Sequence, residues 1–291
     1  MSVKRFVIKI EPFVVQLQTT LTPVSNSILK LYADYPLLDD KGSLFADFHI
    51  DIKPPAGLRH WYKPQVQFYF DGKTPFKPLP ASQAYPFFEW GLNWCIGAHI
   101  FQYMLLHAAV VEKNGCALIL CGEPGAGKST LTAALVNRGW RLLSDEMAVI
   151  DLQTHELIPI VRPISLKNES IAIISQFAPE AVMGDSFLDT GKGTVAHMKP
   201  PTDSILKAAT RTVARWVVFP KYRTDSEIAL QGLAKGQTVL RLAENSFNYS
   251  ALGGSGFNAL CGLVEQCDCY DFVYSRLNDA VELFADISAN R

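Results

Sequence analysis

The sequence predicts an α/β (α+β) chain in which a smaller, mostly β region, residues 1–85, precedes a larger strand–loop–helix core, residues 86–291. Three observations lead there. Short runs of alternating apolar and polar residues fill the N-terminal region. A glycine-rich loop, GEPGAGKST (Gly122 to Thr130), stands between an apolar run and a helical one. Amphipathic helical spacing returns at the C-terminal end.

The alternating runs are FVIKI, VVQLQT, ADFHIDI and VQFYF, separated by the turn-rich pieces DYPLLDDKGS and KPPAG. Proline-rich FKPLPASQAYP, Phe76 to Pro86, reads as a connector into a helix from about Phe87 to Tyr103. LLHAAVV and CALILCG flank Asn114-Gly115, the dipeptide suited to a tight hairpin turn, so the strand entering the glycine-rich loop is the second arm of a hairpin. Lys128 to Arg138 has helical spacing, with Gly139 placed to end it. WRLLSDEMAVIDL predicts one further strand carrying two acids in its middle, and the chain then reads as strands and turns as far as IAIIS, near Ile174. Ser186 to Ser204 shows little regular pattern. WVVFPKY predicts a buried strand, and residues from about Lys235 to Val264 are mainly helical with a break at Gly253-Gly254. YDFVYS predicts a last strand, and LNDAVELFADI a terminal helix with Leu277, Val281 and Phe284 on one face.

Composition excludes several classes. Lys plus Arg (27) nearly cancels Asp plus Glu (28), and the signs are interspersed, so no field favours nucleic acid or an anionic membrane surface. The opening residues lack the apolar core and cleavage site of a signal peptide, which predicts a cytoplasmic protein. Trp90 to Val111 is uncharged and long enough for a bilayer. Asn93, His99, Gln102 and His107 interrupt it, and its last third turns β-branched, so it reads as a buried helix running into a buried strand. The six cysteines predict reduced thiols, and Cys261, Cys267 and Cys269 lack the paired spacing of a zinc site.

The chemistry concentrates in a short region. Gly122-x-x-x-x-Gly127-Lys128-Ser129 matches the phosphate-loop motif in full and in the required context, after a strand and before a helix. Gly122, Glu123, Pro124, Gly125, Ala126 and Gly127 would cradle phosphate oxygens with backbone N–H groups, Lys128 would neutralise them, and Ser129, with Thr130 beside it, would offer a hydroxyl to Mg²⁺. Asp145-Glu146 follows seventeen residues after Lys128. One carboxylate there serves a metal, and two allow a second to accept a proton from an incoming hydroxyl. His107, in the first hairpin arm, projects toward the loop if the hairpin folds back; read alone it is as well explained as a packed core histidine. Arg162, in IVRPISL, is a candidate cation for the γ-phosphate. Thr190 to His197 (TGKGTVAH), with Lys192 and His197, reads either as a phosphate- or substrate-facing loop or as a plain surface turn.

Together HAAVV, the Asn-Gly hairpin, ILCGEPGAGKST and NRGWRLLSDE resemble the bacterial HPr serine kinase/phosphorylase family, whose nucleotide core is related to that of phosphoenolpyruvate carboxykinase. YDFVYSRLNDAVELF and TGKGTVAH are similar to the branch called HprK-related kinase A. The resemblance is specific from about residue 105 to 150. It implies a P-loop kinase core with a mixed sheet, preceded by a separate N-terminal domain, and a ring-like homo-oligomer. It further implies Lys128 and Ser129 as phosphate and Mg²⁺ ligands, Asp145 as the base on a substrate serine, Glu146 as the metal-side acid and His107 as the hairpin histidine. Where the family has two aspartates this chain has Asp145 and then Glu146. The family's downstream E-R-G-x-G run is not recognisable, so the reverse, phosphate-consuming reaction does not carry over, and the N-terminal region shows no convincing match, so neither does the substrate HPr.

The expected function is therefore an ATP- and Mg²⁺-dependent kinase acting on a Ser/Thr hydroxyl of a protein or peptide. Two alternatives share the loop: a kinase for a small hydroxylated metabolite, and a nucleotide-sensing module with little turnover.

Overall fold

A computed structural model describes residues 2–36, 45–57 and 63–289. The chain forms two compact units. The first takes the chain up to Ile96 together with Ser165–Ile171 and Val182–Lys199; the second takes Gly97–Ile164, Ala172–Ala181 and the chain from Pro200 onward.

In the first unit β1 (Lys4–Ile10) and β2 (Phe13–Thr19) form an antiparallel pair, and Phe13, Val15, Leu17 and Thr19 all turn inward, as period-two alternation requires. A helix absent from the sequence reading, α1 (Thr22–Leu31), follows, with Pro23 in its first turn and Val24, Ile28 and Leu31 on its buried face. It supplies the crossover that lets β3 (Phe48–Lys53) lie parallel to β2. β4 (Gln65–Phe70) and the short β5 (Leu79–Pro80) complete a sheet in the order β1-β2-β3-β4-β5. Part of DYPLLDDKGS lies outside the described residues.

The uncharged stretch beginning at Trp90 divides as its composition predicts. α2 (Ala84–His99) ends before β6 (Tyr103–Leu106), and among the described residues no helix is long and apolar enough to cross a membrane. β7 (Ala108–Lys113) and β8 (Cys116–Cys121) form the expected hairpin, with positive φ at both Asn114 (55°) and Gly115 (79°). α3 (Lys128–Val136) stops at the predicted place: Gly139 takes φ 86°, and the Trp140 N–H bonds back to the Leu135 carbonyl.

WRLLSDEMAVIDL is not one strand. It forms β9 (Arg141–Ser144) and β10 (Ala148–Asp151), with the two acids in the bend between them. The preceding arm breaks too, at His107. β7 pairs antiparallel with β9, whereas β6 pairs with β10, which in turn carries β11 (Leu157–Ile158). Val110 faces Ser144 and Leu106 faces Ala148, so the two arms bend from one sheet into another at the same level.

β12 (Ile164–Lys167) precedes α4 (Glu169–Phe177), which contains IAIIS. The expected strand there is a helix: Glu169 occupies its first turn, the Ser170 hydroxyl accepts the Lys167 N–H at 2.7 Å and so ties that turn to the end of β12, and Ile174 is buried, a setting that outweighs β-branched propensity. Ser186 to Ser204 is likewise more regular than expected. β13 (Phe187–Thr190) and β14 (Gly193–Met198) form a hairpin beside β12, closed where the Thr190 hydroxyl donates to the Gly193 carbonyl and accepts the Lys192 N–H.

α5 (Thr202–Leu206) leads to β15 (Val213–Tyr222), β16 (Ala229–Gly232), α6 (Lys235–Glu244), α7 (Tyr249–Leu252), α8 (Gly254–Glu265), β17 (Asp268–Tyr274) and α9 (Leu277–Ala289). The principal sheet of the second unit runs β16-β17-β15-β8-β7-β9 and is mixed, with β15 parallel to both β8 and β17. Its centre is β8, where Ala117 through Cys121 are all fully buried, as expected of a strand covered on both faces. The functional residues therefore stand on the ends of a rigid, packed core.

Candidate functional site

The core strand β8 delivers the chain to Gly122, and α3 receives it at Lys128. Between them Gly122, Gly125 and Gly127 hold φ of 150°, 87° and 91°, backbone in the region that glycine enters without steric cost. Glu123, Pro124 and Gly125 are exposed, Ala126 and Thr130 partly so. Gly127 is the helix N-cap and brings no side chain to the first-turn N–H groups, the donors through which a helix start binds an anion. Lys128 is almost buried, at 8 % exposed, and its Nζ donates to the carbonyls of Gly122 and Glu123 (3.0 Å to the latter). Beneath the loop, burial pushes the Cys121 thiol up to about 11 against the opposing pull of Lys128.

Two tyrosines flank the loop. The Tyr222 N–H donates to the Ala126 carbonyl at 3.2 Å, and the Tyr274 hydroxyl donates to the Gly127 carbonyl at 3.3 Å. Burial, with Tyr222 nearby, pushes the Tyr274 phenol well above the usual tyrosine range. A Cβ on Gly127 would stand 2.5 Å from the Tyr274 hydroxyl, in a backbone conformation that side chains resist. Gly127→Ala is expected to destabilise the protein by about 1–3 kcal/mol and to weaken phosphate binding more than Gly125→Ala, whose Cβ meets open space. Denaturant unfolding and tripolyphosphate titration of the two variants check this.

On the other side of the loop, the Ser129 hydroxyl donates to Asp145 Oδ2 at 3.2 Å. Asp145 is buried and Glu146 partly exposed, successive residues in the bend after β9. The sheet places this bend one strand beyond β7, so the approach of Asp145 to Ser129 spans two strand positions. The residues fit a hard cation: a hydroxyl and a carboxylate within hydrogen-bond reach at a helix start are the oxygen donors that Mg²⁺ takes. Arg162 is buried in the segment after β11, which is tied to β9 by the Ile160 N–H donating to the Leu143 carbonyl at 2.9 Å.

His107 occupies the break between β6 and β7. Ala108 pairs with Cys121, the residue before Gly122, so His107 stands at the end of the ladder that leads into the loop. Its N–H donates to the Asn245 carbonyl at 2.7 Å, and its ring meets Phe247 edge to face, centroids 5.8 Å apart. Asn248 secures the neighbouring backbone: its amide oxygen accepts the Leu105 N–H at 3.0 Å and its NH₂ donates to the Tyr103 carbonyl at 2.8 Å. Asn248 is 3 % exposed, so Asn248→Ala leaves buried backbone groups without these partners. We expect a loss of about 2–4 kcal/mol in denaturant unfolding.

Lys192 and His197 both lie on the β13–β14 hairpin of the first unit, Lys192 with its Nζ over the Trp90 ring at 5.4 Å and His197 buried edge to face against Tyr85. The sequence reading missed Tyr222, Tyr274, Phe247 and Asn248. Both tyrosines end recognisable strands, but only the parallel register that pairs Tyr222 with Tyr274 brings them to one edge of the loop.

Fold and site define a strand–glycine loop–helix unit with an acidic bend beside the helix start. No family model matches the chain. Over 63 residues it is 36% identical to an HPr kinase/phosphorylase of Lactobacillus delbrueckii subsp. bulgaricus, covering 22% of this chain and 20% of that protein. Over 50 residues it is 40% identical to an HPr kinase/phosphorylase of Prosthecochloris aestuarii, 17% of this chain and 15% of that one. A DNA repair protein RadA of Brucella abortus is 30% identical over 141 residues, 40% of this chain and 30% of the relative. The matches thus span at most 30% of the length of these relatives. Among solved structures, the HPr(Ser) kinase/phosphatase of Coxiella burnetii aligns with 64% of this chain and 94% of its own at 13% identity and a TM-score of 0.31. In sequence the chain is HPr kinase-like over the matched stretches.

Proposed function

We propose that the protein is an ATP- and Mg²⁺-dependent kinase that transfers the γ-phosphoryl group to a serine or threonine hydroxyl of a protein or peptide. The observation that carries this reading is the contact between Ser129 and Asp145 at the foot of a complete phosphate loop, with a second carboxylate, Glu146, next along the same bend. A site for phosphate binding alone has no use for the second acid. Phosphoryl transfer does, because the acceptor hydroxyl must lose a proton.

Loop N–H groups and Lys128 bind the β- and γ-phosphate oxygens, so Lys128 exchanges its contacts with the Gly122 and Glu123 carbonyls for phosphate. Mg²⁺, when bound, neutralises charge on the same oxygens, and Ser129 and Asp145 would hold it. That contact favours Asp145 on the metal side and leaves Glu146, the more exposed of the two, to accept the acceptor's proton, the reverse of the division implied by family resemblance. His107, held by Asn245 and Phe247, orients the transferring group from the β7 side of the loop, and Arg162 is the further cation for developing charge.

The test is transfer of label from γ-labelled ATP with Mg²⁺ into proteins of the host cell lysate, with Lys128→Ala as control. A discrete, acid-stable labelled band present only with the unaltered protein supports the reading. Absence of any labelled protein, with no ADP formed, removes it.

A further inference from the structure

We infer that Tyr222 is the platform for the nucleoside of the bound triphosphate, a subsite that rests on the reading of Gly122–Ser129 as a nucleoside triphosphate loop. The argument begins with strand order. The loop leaves β8 at the centre of the sheet. On one side stand β7 and β9, and the bend after β9 brings Asp145 to Ser129; on the other stand β15 and β17, parallel to β8, with their carboxyl ends at the same edge. Ser129 and Asp145 mark where the γ end of a triphosphate lies. Its α-phosphate and nucleoside therefore leave over the opposite side, above the carboxyl ends of β15 and β17, where ligands of open α/β sheets sit.

At that edge stands Tyr222. It is the last residue of β15, and its N–H bonds to the Ala126 carbonyl of the loop itself, which fixes it relative to the phosphate site. A Cβ at Gly127 would lie 3.4 Å from the Tyr222 Cβ, so Tyr222 stands directly beside the loop backbone. Val217, Val218 and Phe219 on the same strand are buried, yet Tyr222 is 49% exposed. Its ring is braced edge to face by Tyr274, at 5.8 Å and 72°, and Tyr274 is itself bonded to Gly127. A half-exposed aromatic ring, braced from one side and tied by its backbone to a phosphate loop, offers a π-surface where the base must pass. Stacking of this kind accepts any base face.

Isothermal titration separates the ring from the loop. The unaltered protein, Tyr222→Ala and Tyr222→Phe are titrated with ATP and with tripolyphosphate, each with Mg²⁺. We expect Tyr222→Ala to weaken ATP binding about tenfold and to leave tripolyphosphate binding unchanged, and Tyr222→Phe to bind both as the unaltered protein does. The inference is overturned if Tyr222→Ala binds ATP normally, or if it loses ATP and tripolyphosphate alike, which would make the ring a support for the loop. If the unaltered protein binds tripolyphosphate as tightly as ATP, there is no nucleoside subsite. If it binds neither, the triphosphate-loop reading fails first and takes this inference with it.

Discussion

Lys128→Ala should lower the rate of phosphotransfer by at least about 10²–10³-fold and weaken ATP binding about tenfold or more, because it removes the one side-chain cation that the loop itself supplies to the phosphates. Lys128 is almost buried, and in the free protein its amine holds the carbonyls of Gly122 and Glu123. The variant should therefore also lose a small amount of thermal stability, of order 1 kcal/mol, through the two released carbonyls. Lys128→Arg should not restore transfer, since a planar, wider guanidinium does not fit the enclosed position of a compact ammonium. Steady-state transfer and calorimetric ATP binding measure the two effects. Transfer within a few-fold of the unaltered protein would remove Lys128 from the mechanism.

The second large effect is a split between neighbouring carboxylates. Asp145→Asn keeps the shape of the side chain beside Ser129 but removes its charge, so the Mg²⁺ concentration for half-maximal activity should rise about tenfold or more. Glu146→Gln should leave the Mg²⁺ requirement and ATP binding near those of the unaltered protein while cutting transfer by about 10²–10⁴-fold, the usual contribution of a general base. Magnesium titration of both variants decides it. If Glu146→Gln shifts the Mg²⁺ requirement and Asp145→Asn lowers transfer alone, the roles are exchanged, as family resemblance implies.

Local sequence was a good guide wherever local chemistry decides. The Asn114-Gly115 turn, the end of α3 at Gly139 and the strand before the loop each depend on a few adjacent residues whose backbone preferences leave little choice. It was a poor guide at α4, where β-branched IAIIS forms a helix that buries Ile174, so packing outweighed strand propensity. It failed where partners lie far away. Nothing in WRLLSDEMAVIDL marks a break, because the break exists only so that β9 and β10 can pair with β7 and β6 in two different sheets. The same bend that was invisible locally is what brings Asp145 to Ser129.

By itself, the sequence determined that a glycine-rich loop with the phosphate-loop pattern follows a buried strand and opens a helix, because backbone conformation at glycines and the placement of a lysine and a serine are properties of contiguous residues. Only the tertiary structure decided which carboxylate meets Ser129, where His107 is held by Asn245 and Phe247, and that Tyr222 and Tyr274 share an edge with the loop. Those contacts join residues 16 to 147 positions apart. Strand order and register create them, and a chain read residue by residue carries no record of which strands will be neighbours.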